Sequence, residues 1–154
     1  MKATGIVRRI DELGRVVIPK EIRRTLRIKE GDPLEIFTDK EGEIILKKYS
    51  PIGELSTLAS QYAEALLRGM QLAVIICDRD HCISAAGISK KAVLEKSITP
   101  ELERLAEERK IYSADGETQV NALSDTEFTV SALAPILSGG DICGAVVLLN
   151  IEQT

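Results

Sequence analysis

Pro51 and Gly53 break the chain after about fifty residues, and that break limits what either side can become. Proline brings no N–H to a ladder or a helix, and glycine accepts backbone angles that other residues resist. The pair therefore marks a linker, dividing the 154 residues into segments 1–50 and 51–154. Both are the size of small domains. The first is near the limit at which a lone hydrophobic core becomes marginal, because small bodies bury too little of their surface.

Residues 1–50 read as two hairpins around one short helix. Residues 5–10 and 16–18 are rich in β-branched side chains and flank DELGR, whose Asp and Gly suit a turn. Pro19 stands at a helix start, where its missing N–H costs nothing, and KEIRRTLRI sets Ile22 and Leu26 one turn apart on one face. Arg23, Arg24 and Arg27 are left pointing elsewhere. PLEIFT, a DKEG turn and EIILKK predict the second hairpin, which closes near Tyr49. A single copy this small cannot enclose Ile6, Val7, Val16, Val17, Ile18, Leu34, Ile36, Ile45 and Leu46. A two-fold dimer with interleaved hairpins and one shared core is expected.

In the second segment, Leu55, Leu58, Ala59, Tyr62, Leu66 and Met70 recur at helical spacing and predict an amphipathic helix over 54–70. Its apolar stripe has two candidate partners, its own sheet or its symmetry mate. LAVIICD reads as a buried strand, with HCISAAG as its partner after a DRD turn. SITPELERLAEERK reads as a helix capped by Thr99 with Pro100 in first position. TEFTVSALAPIL and ICGAVVLLNI predict two strands joined by SGGD. The order of helices and strands gives an α+β fold with a central antiparallel sheet.

Charge is distributed unevenly between the segments. Residues 1–50 hold 12 Lys and Arg against 9 Asp and Glu, whereas 51–154 hold 8 against 15. Residues 1–29 are sharper still, with 9 basic against 3 acidic. A polyanion is drawn to that end only. Guanidinium groups there suit phosphate oxygens and guanine edges, since they present rigid forked donors and stay charged.

TGIVRRIDELGRVVIPKEIRRTLRIKEGDPLEIF resembles the AbrB-type swapped-hairpin DNA-binding domain of bacterial transition-state regulators, and the match runs nearly throughout residues 1–49. The resemblance implies a dimeric amino-terminal swapped-hairpin β-barrel with a short helix, binding double-stranded DNA through Arg8, Arg15, Arg23 and Arg24. Lys2, Arg9 and Arg27 are expected near the DNA but outside that set. The chain as a whole resembles bacterial regulators of spore development in which a GAF-like domain follows such a head. That implies an α/β sensor domain over 51–154 that binds an unidentified small ligand, joins dimers into a homotetramer, or does both. Control of sporulation genes by activation or repression follows from the same resemblance, with no cofactor.

Other chemistries are weaker. Some antitoxins share the amino-terminal fold, but they usually carry a short flexible tail, whereas 51–154 has its own apolar core. His81 lies between Cys77 and Cys82, and with Cys143 these could make a zinc set. The cysteines stand in apolar strands, where buried thiols are ordinary packing, so no metal is expected. A thiol-dependent reductase would need a cysteine arrangement that this spacing does not show. No Ser/His/Asp set, phosphate loop or dinucleotide fingerprint appears, and an enzyme is not expected. The apolar runs are too short to span a membrane, the start lacks the apolar stretch of a secretory signal, and a cytoplasmic protein with reduced thiols is expected.

Overall fold

The computed structural model describes residues 3–52 and 55–150. The chain forms two compact units, Met1–Tyr49 and Ser50–Thr154.

In the first unit, Pro19 precedes helix α1 (Lys20–Leu26). Arg27 ends the helix in the left-handed region, at φ 56°, while the Ile28 N–H bonds back to the Arg23 carbonyl at 2.8 Å. This closure satisfies carbonyls that the helix end would otherwise leave unpaired. Strands β1 (Leu34–Thr38) and β2 (Ile44–Lys48) pair antiparallel, with Ile36 opposite Leu46. Lys48 Nζ donates to the Arg27 carbonyl at 3.2 Å, tying this hairpin to the end of α1.

The first expected hairpin forms only in part. Its turn is closed, with the Asp11 N–H donating to the Arg15 carbonyl and the Gly14 N–H to the Asp11 carbonyl, both at 3.0 Å. Gly14 takes φ +79°, which its missing Cβ permits. The flanking segments, however, make no strand ladder within the chain. The apolar side chains tell the same story, because no residue of 3–49 is buried. Val7 is 84% exposed and Val17 70%.

The second unit has the interior that the first lacks. Helix α2 (Ser56–Met70) leads into strands β3 (Ala73–Asp78) and β4 (Cys82–Ala86). Helices α3 (Lys90–Val93) and α4 (Pro100–Glu107) follow, then β5 (Tyr112–Ser113), β6 (Thr129–Ser138) and β7 (Asp141–Asn150). The strands make one sheet in the order β4-β3-β7-β6-β5, antiparallel at every pairing. Every residue of β3 is buried, as befits a strand covered on both faces.

Alternation along β3 divides the core in two. Val74 and Ile76 face α2, where they meet Ala59, Ala63 and Ile52. Ile75 and Cys77 face the other way, toward Leu102 and Ala106 of α4 and Val93 of α3. The Thr99 hydroxyl caps α4 by accepting from the Leu102 N–H at 3.1 Å, and Pro100 follows in first position, as expected. Gly139 and Gly140, at φ 59° and 88°, turn β6 into β7 between the paired residues Ser138 and Asp141. Two successive positive φ values suit the right-handed twist of such a tight hairpin. Helix α3 and strand β5 were not expected from the sequence.

The stripe on α2 is divided as well. The sheet takes the small residues Ala59 and Ala63, with Leu66 and Leu67 half-buried beside them. Leu55, Leu58, Tyr62 and Met70 remain exposed, Tyr62 by 60%. Among the described residues, no helix is long and apolar enough to cross a membrane.

Candidate nucleic-acid interface

The arginines are positioned by short local devices rather than by a core. At the DELGR turn, one Asp11 carboxylate oxygen accepts from the Leu13 and Arg15 N–H groups at 2.9 and 2.8 Å. Its other oxygen accepts from Arg15 Nε at 2.8 Å. The Arg15 N–H chiefly, then its guanidinium and the Leu13 N–H, hold the Asp11 carboxyl below the ordinary carboxylate range. The turn thus fixes the stem of Arg15 while its side chain stays 70% exposed.

Arg8 and Arg9 lie on the segment entering this turn, both exposed. Arg8 donates to the neighbouring Val7 carbonyl at 3.2 Å. On α1, Arg23 Nε donates to the Ile18 carbonyl at 3.1 Å while the residue stays exposed. Arg24 is exposed on the same helix and has no side-chain partner among the described residues. Arg27 is exposed and holds the helix end. Lys2 lies outside the described residues. Arg8 and Arg15 therefore flank one turn, while Arg23 and Arg24 share the next helix. Asp11 was read from the sequence as turn geometry alone, and its grip on Arg15 was missed. The signal was its spacing, four residues ahead of a cation across a glycine turn.

The cysteines and the histidine do not converge. Cys77 and Cys82 pack into the core on the α4 side of the sheet, and Cys143 packs on the α2 side. His81 is engaged by carboxylates, with Nδ1 3.4 Å from Asp78 and Nε2 3.3 Å from Glu95. The sheet itself therefore separates the would-be zinc ligands. Asp39, Glu41 and Glu43 cluster in the β1–β2 turn, where backbone N–H groups of Glu41 and Glu43 already occupy the Asp39 carboxylate.

The chain is thus an arginine-bearing unit with no buried residue among 3–49, followed by a unit built on an antiparallel sheet. Residues 54–154 match the family described as Stage V sporulation protein T C-terminal, transcription factor. Residues 7–54 match the one described as Antidote-toxin recognition MazE, bacterial antitoxin. Stage V sporulation protein T of Bacillus subtilis (strain 168) is 55% identical over 157 residues, spanning 100% of this chain and 88% of the relative. Transition state regulatory protein AbrB of the same organism is 71% identical over 51 residues, 33% of this chain and 52% of that protein. Among solved structures, the N-terminal DNA recognition domain of the Bacillus subtilis transition-state regulator AbrB is 70% identical. That match covers 33% of this chain and 94% of that one, with a TM-score of 0.28.

The chain belongs to the stage V sporulation protein T family. Because this is a family of transcription factors, the expectation of no enzymatic activity agrees with it.

Proposed function

We propose that the chain is a DNA-binding regulator of sporulation genes, which grips the duplex through Arg8, Arg15, Arg23 and Arg24 of two interleaved copies. The observation that carries this reading is the exposed arginine set on a unit with no buried residue among the described residues 3–49. Such a unit gains an interior only by association, and a two-fold pair presents the set twice, matching the pseudosymmetry of DNA. The family supports it, as does the 71% identity to a transition-state regulator whose amino-terminal domain is described as recognising DNA. Arg9 and Arg27 add to the field around that set.

The second unit is read as a GAF-like assembly module that joins dimers into a tetramer. Its support is the exposed line of Leu55, Leu58, Tyr62 and Met70, which the sheet leaves uncovered. Ligand sensing is a lesser part of this reading. The hollow between α4 and the sheet measures about 40 Å³, against roughly 300–1,000 Å³ for a typical ligand pocket. A metabolite there would have to lift α4. A second reading, an antitoxin, draws on the match of residues 7–54 alone, and binding to a toxin without binding to DNA would favour it.

Titration of a labelled duplex with the full chain at several salt concentrations tests the main reading. Affinity should fall steeply with salt, and each arginine on a phosphate should contribute about 1 to the slope. The Arg8→Ala, Arg15→Ala, Arg23→Ala, Arg24→Ala chain should lose binding. Binding as tight as wild type would overturn the assignment.

A further inference from the structure

We propose that Cys77 and Cys82 form a modification site, a cross-strand dithiol that hydroperoxides oxidise to an intramolecular disulfide.

The two residues stand opposite each other in the β3–β4 pairing, where a bulge brings Cys82 into register with Cys77. The backbone of Cys82 turns its hydrogen bonds away from β3, donating to the Lys96 carbonyl at 2.9 Å and accepting from the Glu95 N–H at 3.0 Å. Cys77 and Cys82 are thus a pair with no hydrogen bonds between them. In such pairs the Cα atoms lie about 4.5 Å apart and the side chains approach most closely. That spacing for regular pairs is inside the roughly 4.4–6.8 Å range of protein disulfides. Both side chains pack on the same face of the sheet. The Cys82 thiol donates to the Ser84 carbonyl at 3.4 Å.

Access and reactivity follow from the surroundings. Both thiols are buried, which excludes bulky oxidants. Cys77 nevertheless lines the hollow of about 40 Å³ beside α4, together with Asp78, Arg79 and Glu103. A water-sized molecule needs only about 10–15 Å³ of that kind of space, and hydrogen peroxide is little larger. Contact with Cys77 holds the Cys82 thiol below its ordinary range, while the same contact and burial push Cys77 well above.

In the first step one of the two sulfurs, as its thiolate, attacks one peroxide oxygen, the O–O bond breaks, and hydroxide leaves with the thiol proton as water. That cysteine is then a sulfenic acid. In the second step the other sulfur attacks it, the S–OH bond breaks, and its proton leaves with the hydroxyl as a second water. One peroxide is reduced and two thiols are oxidised, with no other reactant. A thiol reductant reverses the bond by exchange. Cys143, on the opposite face of the sheet, takes no part.

The test uses the full chain carrying Cys143→Ser, beside wild type, treated with hydrogen peroxide while folded. Each is then denatured, alkylated, cleaved with trypsin and analysed by mass spectrometry. Cleavage after Arg79 separates Cys77 from Cys82, so the disulfide would hold two peptides together. The expected product is that linked pair, lighter by two hydrogen atoms than the separate peptides, in both proteins. Both thiols should disappear together and return with dithiothreitol. Peroxide that leaves Cys77 and Cys82 alkylatable, or that drives one to a sulfinic acid while the other stays free, would overturn the proposal.

Discussion

The carbonyl oxygen of Cys77 fills the space that a side chain at Gly144 would need. A Cβ there would also crowd the Asp78 Cα and the end of the Ile52 side chain. Because the first obstacle is backbone, relief requires β3 and β7 to separate at the residue pair Asp78 and Gly144. Gly144→Ala should therefore destabilise the second unit by about 3 kcal/mol, at the upper end for overpacking. Amide exchange in β3 and β7 under increasing urea measures it. An unchanged profile would show that the strands yield without cost.

The DELGR turn should respond to pH through Asp11. A carboxyl whose pKa is lowered on folding contributes order that is complete above its ordinary value of 3.8 and is lost as pH falls through the lower folded value. The amide signals of Leu13 and Arg15, followed by NMR, should thus shift with a midpoint below 3.8. In Asp11→Ala the shift should vanish, and Arg15 should lose its fixed stem. A midpoint at or above 3.8 would show that the contacts do not persist in solution.

A fragment of residues 1–50 should fold only as a dimer. None of residues 3–49 is buried, so a single copy has nothing to offset the entropy of ordering its chain. Its melting temperature should rise with protein concentration, as mass action requires of a species folded only when associated. Sedimentation of a folded monomer at low concentration would refute the shared core.

The exposed line on α2 should hold dimers together. Tyr62→Glu with Leu58→Glu places charge on that line without touching Ala59 or Ala63, which pack on the sheet. Light scattering should then report a dimer where the wild-type chain gives a tetramer, and DNA affinity should drop through lost avidity. A wild-type chain that is itself dimeric would remove the assembly role.

Much of the second unit was legible because its signals are local. The apolar run of β3, the paired glycines before β7 and the Thr99-Pro100 start of α4 each carry their own cause. Helix α3 and strand β5 escaped notice because four and two residues are too few to show a period. On α2 the sheet takes Ala59 and Ala63 for close approach, and Ala63 escaped the stripe read from the sequence because large side chains draw attention. In the first unit the charges of the arginines were plain, but residues 5–10, whose composition reads as a strand, join no ladder among the described residues.

The missing interior of the first unit also changes how substitutions count. Where two copies share one core, each residue enters it twice, so a single codon change alters two sites at once. Val17→Ala would remove methyl groups from both halves, and any compensating change would have to fit its own mirror role across the two-fold axis. In the second unit, Val74 or Leu102 is met once per copy and can be repaired by a neighbour in the same chain. In a head paired as proposed, sequence drift would therefore be doubly penalised, through symmetry alone and before any contact with DNA is considered.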